Sequence, residues 1–274
     1  MKNSLIVVIA SSLFLASCGN NEAENTVPET TTPPNELNLD FDQRARREVE
    51  AKLQIPVTEK YAFKVYKEFI NADTIQDAII TVNRMEYAIS DAIKKNKQAK
   101  MAEIGFMGNY NFFFYYDGAT DQFSVPLPVP SSPGRPLEVS FKNMVSDLTK
   151  DVIIDYRIRN SGWRSYFSVF NETDLTIVFQ WKLFDYAGEE KPEALLHVLE
   201  ASREHSGKDI LIYNSEIDHY SQNIGDMYQY VPSITKPNKL AYRFYFEPKF
   251  GKYTLYKTGP GSERAQEFIN KSRR

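Results

Sequence analysis

Two segments of this chain align without a gap at a spacing of 74 residues. Asp73-Thr74-Ile75-Gln76-Asp77-Ala78-Ile79-Ile80 matches Asp147-Leu148-Thr149-Lys150-Asp151-Val152-Ile153-Ile154, with both aspartates and both isoleucines coinciding. Each copy follows an alternating apolar stretch, Tyr61/Phe63/Val65 in the first and Leu137/Val139/Phe141 in the second, which is strand periodicity. A weaker third copy is Gly207-Lys208-Asp209-Ile210-Leu211-Ile212-Tyr213. Each copy reads as strand, acidic turn, strand. The pattern predicts a mainly β domain of antiparallel hairpins, arranged as a sandwich or as a small, irregular propeller-like domain, with one or two short helices.

Other segments fit that frame. Asn111 to Tyr116, Asp117-Gly118-Ala119-Thr120, then Phe123 to Leu127 reads as a hairpin. Trp163 to Phe170 and Leu175 to Tyr186 read as two strands, and Leu240 to Phe246 with Tyr253 to Tyr256 as a last hairpin. Residues 126–136, with five prolines, read as a loop. Asp42 to Leu53 and Met85 to Ile93 carry helical spacing, and Ser262 to Ser272 reads as a short helix capped by Ser262. Pro192 to His205 is open between helix and strand, and the repeat favours strand. The high aromatic content, 17 Tyr and 18 Phe, favours half-buried pleated surfaces.

The acidic segments resemble FG-GAP/VCBS-type repeats, whose nine-residue loop runs Asp-x-Asn-x-Asp-Gly-x-x-Asp and leads into a hydrophobic strand. That resemblance implies a Ca²⁺ loop, since alternating carboxylate and amide oxygens can wrap a hard cation. Carried over residue by residue, the candidate ligands are Asn71, Asp73 and Asp77 in the first copy and Asn143, Asp147 and Asp151 in the second. The copies depart from the family at Phe69, where the opening Asp belongs, at Val145, and at Thr74 and Leu148, where the glycine belongs. The third copy keeps only Asp209. The alternative use of these aspartates is to cap turns by accepting backbone N–H groups.

The amino terminus says where such a domain belongs. Lys2 precedes an apolar run from Leu5 to Leu15, which ends in Leu15-Ala16-Ser17-Cys18. The run has secretory-signal length and falls short of the roughly 20 residues a membrane span needs. The arrangement resembles the lipobox of bacterial lipoproteins, which implies cleavage before Cys18 and acylation of its sulfur by diacylglycerol carrying chains such as palmitate. The expected organisation is a signal peptide at 1–17, a lipidated Cys18 with a disordered tether over 18–40, and a single mainly β domain over 41–274 with short terminal helices. Cys18 is the only cysteine, so no disulfide forms within the chain. The implied location is the cell envelope, lipid-anchored at the outer membrane.

Little else points to chemistry. His197, His205 and His219 are the only histidines, with no metal-binding spacing, and there is no G-x-S-x-G elbow. The net charge of −3 becomes −4 once Lys2 leaves with the signal, and no basic stripe suggests nucleic acid. Lys94, Lys95, Lys97 and Lys100 form the densest basic run and read as the solvated end of a helix. Three functions are therefore carried forward. The leading one is a noncatalytic, membrane-anchored binding or envelope-interaction module, with the bilayer and an envelope protein or glycan as partners. The second is a Ca²⁺-dependent adhesion or recognition module. The third is a carbohydrate-active enzyme using a carboxylate pair, with Trp163 and Trp181 as a sugar platform.

Overall fold

The computed structural model describes residues 39–99, 107–171, 174–186, 192–203, 205, 207–217 and 230–256. The leader, Cys18, nearly all of the tether, His219 and the segment Ser262 to Ser272 lie outside the described residues. The chain divides after Leu39, and the helices and strands among the described residues all belong to the unit that begins at Asp40. Among the described residues no helix is long and apolar enough to cross a membrane.

The domain opens with helix α1 (Phe41–Leu53). Asp40 caps it by accepting the amide of Gln43 at 2.8 Å, and Gln54 ends it in the left-handed conformation two residues before Pro56. The strands β1 (Ala62–Glu68), β2 (Asp77–Asn83), β3 (Gly108–Asp117) and β4 (Gln122–Phe123) then form an antiparallel sheet in that order, and β5 (Leu127–Ser131) also pairs with β3. Helix α2 (Met85–Lys94) lies between β2 and β3. The second sheet is a meander in chain order: β6 (Glu138–Lys142), β7 (Asp151–Ile158), β8 (Ser161–Asn171), β9 (Asp174–Asp185), β10 (Glu193–Ala201), β11 (Lys208–Ser215), β12 (Pro237–Glu247) and β13 (Lys252–Leu255). The fold is mainly β and antiparallel, and the sheets stay open rather than closing into a barrel.

The sequence repeat is a structural repeat. Glu68 pairs with Asp77 and Lys142 pairs with Asp151, so the first two hairpins share an eight-residue loop, 69–76 and 143–150. Each hairpin gains a third strand, β3 or β8, with Ala78 facing Tyr116 and Val152 facing Phe167. The first repeat carries α2 between its second and third strands, where the second turns directly through Arg159 and Asn160. In the third repeat Ala201 pairs with Lys208, which leaves a shorter loop of six residues.

Packing is layered. The outer face of the first sheet meets α1, joining Ala78, Ile80, Val82 and Phe114 to Ala45 and Val49. Its inner face meets β6 to β8, joining Ile79, Phe113 and Tyr115 to Val152 and Ile154. Strands β9 and β10 pair through only two residue pairs, so the long sheet folds back there. The other face of β7 to β9 then packs on β10 to β13 through Ile153, Tyr166, Phe179, Ile210, Ile212 and Phe244. Strands β2 and most of β7 are therefore buried on both sides, which accounts for their unbroken apolar runs.

Two expectations shift in detail, and one open reading resolves as the repeat favoured. The proline-rich stretch contains β5, whose residues Pro128 and Pro130 sit on an edge strand that pairs on one side only. Proline is tolerated there because its missing N–H can face solvent. The expected second strand of the Asp117-Gly118 hairpin breaks into β4 and β5 around Ser124, whose amide and hydroxyl both bond to Tyr115. The open segment at 193–205 is strand β10 from Glu193 to Ala201.

Candidate metal centre

Asp77 and Asp151 each begin a central strand, and each carboxylate turns back into the preceding loop. Asp77 accepts the amides of Ile70 (3.1 Å) and Asn71 (3.2 Å) on Oδ2. Asp151 repeats this on Met144 (2.8 Å) and Val145 (2.9 Å). These positions lie seven and six residues before the aspartate in both copies, so the carboxylate does the turn-capping job expected of Asp. In the third repeat the amide seven residues before the aspartate, that of Ser202, goes to the Gly207 carbonyl (3.2 Å). Asp209 instead takes Arg243 in a double hydrogen bond (2.8 and 2.5 Å) and the hydroxyl of Tyr256 at 3.3 Å.

The repeats differ in what faces that aspartate from the third strand. Extending the register of β2 on β3 by one residue places Asp117 opposite Asp77. The same extension of β7 on β8 places Ser168 opposite Asp151, and the Ser168 hydroxyl donates to Asp151 Oδ1. The second repeat thus satisfies its carboxylate with a neutral donor. The first repeat sets two carboxylates face to face, both 1% exposed, and like charges directly opposite on a sheet repel. Loop residue Asp73 brings a third, and one oxygen-bearing position from each of Asp73, Asp77 and Asp117 lies within 4.8 Å of the others. Oxygens around one Ca²⁺ at 2.3–2.6 Å sit no more than about 5 Å apart.

The local bonds hold this trio in place. Asn71 Oδ1 accepts the amide of Asp73 (3.0 Å), and Asp73 Oδ1 accepts the amide of Ile75 (2.8 Å). Thr74 adopts φ +67°, so the loop makes a left-handed turn at a non-glycine residue, at the cost of backbone strain. Gly118 donates its amide to Asp77 Oδ1 at 3.0 Å. Asp117 Oδ1 accepts Ala119 (2.8 Å) and Thr120 (3.3 Å), whereas its Oδ2 is buried with no hydrogen-bond partner. Burial, opposed by three amide bonds, pushes the Asp77 carboxyl above its ordinary range, and Asp73 adds to the rise. Burial also pushes up the hydroxyl of Tyr115, which receives the Asn71 side-chain amide at 3.4 Å, and the charges of Asp77 and Asp117 add to it.

This donor set fits a hard divalent cation. It is all oxygen, with no sulfur or imidazole, and contains an orphaned buried carboxylate oxygen. Of the expected ligands, the structure brings Asp73 and Asp77 together, with Asn71 bracing Asp73. The second loop is arranged differently. Asp147 is exposed, Asn143 donates its side-chain amide to the carbonyls of Asp147 (3.1 Å) and Thr149 (2.8 Å), and Asp151 is fully engaged. Among the described residues, the trio with Asp117 is the one such cluster of acidic, histidine or cysteine groups. The sequence reading missed Asp117 because Asp-Gly is a turn signal in its own right. Its second role depends on cross-strand register, which no local pattern carries.

Other candidate groups serve packing. Trp181 stacks on Phe179 and meets Phe244 and Tyr242 inside the sheet interface. Trp163 packs against the core between the first sheet and β6 to β8. Glu138 and Asp155 line a cleft of about 70 Å³, but Asp155 is held by Arg164 and Glu138 by Arg135. His205 stacks on Tyr245 at 4.2 Å. His197 lies between the Tyr166 hydroxyl (2.8 Å) and the Lys182 carbonyl (3.0 Å). No protein-family model, curated protein or solved structure matches this chain.

Proposed function

We propose that this protein is a lipid-anchored envelope protein whose β domain is a noncatalytic, Ca²⁺-dependent binding module. The anchor rests on Cys18 and the lipobox-like run before it. The domain's part rests on one observation above the rest: Asp77 and Asp117 face each other in a buried cross-strand pair, with Asp117 Oδ2 unpartnered and Asp73 alongside. A buried arrangement of this kind is costly when empty, and a divalent cation relieves it. Asp73, Asp77 and Asp117 would hold the ion, which would fix loop 69–76 against the turn at Gly118 and so set the surface offered to a partner. The carbohydrate-active reading draws less support, because the carboxylates that line the Arg135–Asp155 cleft are ion-paired and the cleft is far smaller than a sugar subsite.

The test is calorimetric titration of the mature chain with Ca²⁺, read beside its melting temperature. Free Ca²⁺ at about a hundred times Kd should add about 2.7 kcal/mol of stability. A flat titration with an unmoved melting temperature defeats the cation, and failure of labelled palmitate to enter wild type but not Cys18→Ala defeats the anchor.

A further inference from the structure

The strand register gathers the turns of all three repeats at one end of the domain. Loops 69–76, 143–150 and 202–207 lie there, and so do the connections that leave β3, β8 and β12, because those strands end opposite Asp77, Asp151 and Asp209. Backbone bonds tie the three loops together, from the Lys150 amide to the Ile70 carbonyl (2.8 Å) and from the Lys208 amide to the Met144 carbonyl (2.7 Å).

The chain also enters the domain at this end. The first turn of α1 is held by Arg44 on Asp121, which follows β3, at 2.7 Å, and by Phe41 against Tyr116 and Phe123. The last turn of α1 reaches the opposite end, where Arg84 meets the Leu53 carbonyl at 3.5 Å. The segment between Cys18 and Asp40 therefore attaches beside the loops. That segment has 21 residues. The ten-residue strand β3 alone is about 33 Å long, so the chain joins the domain about that far from its opposite end.

That end exposes large apolar side chains at its tips: Phe69 and Ile75 bracket the acidic loop at 50% and 48% exposure, Leu148 is 80% exposed, Phe170 47% and Phe250 64%. Helix α2 also exposes Tyr87 and Ile93, but the tether does not emerge there. The acidic trio sits among the loop-end tips. Empty, it would repel anionic headgroups; with a divalent cation bound, it can bridge to a lipid phosphate while the apolar tips enter the interface.

From this arrangement we infer that the loop end docks on the bilayer to which the protein is anchored, through Phe69, Leu148 and Phe250, and that a cation held by Asp73, Asp77 and Asp117 switches the docking on. The inference rests on the function proposed above and names the surface which that module meets. Tethering favours it, because a weak second contact gains from the high effective concentration that the first attachment supplies.

The test uses the mature chain carrying Cys18→Ala, so that no acyl chain contributes, with vesicles of phosphatidylglycerol and phosphatidylcholine in equal parts. The protein should sediment with these vesicles in millimolar Ca²⁺. It should stay in solution with chelator or with pure phosphatidylcholine. The pair Leu148→Ser and Phe250→Ser, both at exposed tips outside the acidic loop, should weaken partitioning by about tenfold or more while Ca²⁺ affinity by calorimetry is unchanged. Calcium binding without sedimentation, or undiminished sedimentation of the double variant, overturns the docking and leaves the binding module standing. Sedimentation that requires envelope proteins in the vesicles overturns it in favour of a protein partner. Absence of Ca²⁺ binding, seen separately by calorimetry, removes the module's cation and the switch together.

Discussion

The amide of Lys150 donates to the carbonyl of Ile70 at 2.8 Å, joining the second repeat to the first. The same bond recurs one repeat later, from Lys208 to Met144 at 2.7 Å. In each case the donor immediately precedes the repeat's aspartate, Asp151 or Asp209. The acceptor residue is itself fixed, because Ile70 and Met144 give their own amides to Asp77 and Asp151. One carboxylate thus shapes its own loop and holds the carbonyl on which the next repeat is hung. Ile70 and Met144 are both fully buried, so the stitch also seats an apolar side chain in each inter-sheet core.

Asp151→Ala should therefore cost more than an ordinary surface change. It leaves the amides of Met144 and Val145 and the Ser168 hydroxyl without their acceptor, and two of those groups are buried. A loss of about 3 kcal/mol is expected. Asp151→Asn keeps an acceptor oxygen and should lose about 1 kcal/mol. Urea unfolding followed by tryptophan fluorescence separates the two, and equal losses would mean that the carboxylate does not lock the loop.

Much of the fold was legible because its signals are local. The hairpin of β1 and β2, helix α1, and the β12–β13 turn each announce themselves in alternation, helical spacing or turn residues. The repeat at 73 and 147 correctly marked two hairpins of identical loop length. What was not legible is relational. The pairing of Asp117 with Asp77 depends on which strand becomes the third neighbour and in what register, and α2 intervenes between them in the chain. The inequality of the two acidic loops was hidden for the same reason: a serine on β8 answers Asp151, while an aspartate on β3 answers Asp77.

Gly207 marks the point where the third repeat closes on the second. It has φ +83°, and a Cβ there would lie 2.3 Å from the Met144 carbonyl oxygen and 2.8 Å from that of Val145. Gly207→Ala must therefore adopt a strained backbone and push away the carbonyl that receives Lys208. A loss of about 2–4 kcal/mol is expected, with amide exchange accelerated at Lys208 and Met144 before it rises in β2. Protection unchanged at those two amides would show that the stitch survives without glycine.

The facing carboxylates make a prediction whose sign depends on the ion. In chelator, Asp117→Asn removes a buried like-charge contact while keeping the oxygen that accepts Ala119, so the variant should be more stable than wild type by about 0.5–1 kcal/mol. In saturating Ca²⁺ the order should reverse, because wild type gains the binding energy that the variant has lost. Melting curves of both proteins in both buffers suffice, and the same ranking in both would rule out a cation at this position.

His197 should govern much of the acid sensitivity. Its ring bridges the Tyr166 hydroxyl and the Lys182 carbonyl, an arrangement that suits a neutral imidazole accepting on Nδ1 and donating on Nε2. Burial, reinforced by the charge of Arg164, lowers its pKa to about 3, against about 6.5 in an unfolded chain. The unfolded state therefore binds the extra proton between those values. The stability this site contributes is complete above about pH 6.5 and falls as the pH drops toward 3, by up to about 1.4 kcal/mol per pH unit. His197→Gln, which can keep both bonds without titrating, should flatten that acid limb while leaving stability near neutrality within about 1 kcal/mol of wild type. Urea midpoints measured across the window decide it, and an acid limb of undiminished slope in the variant would assign the sensitivity to other groups.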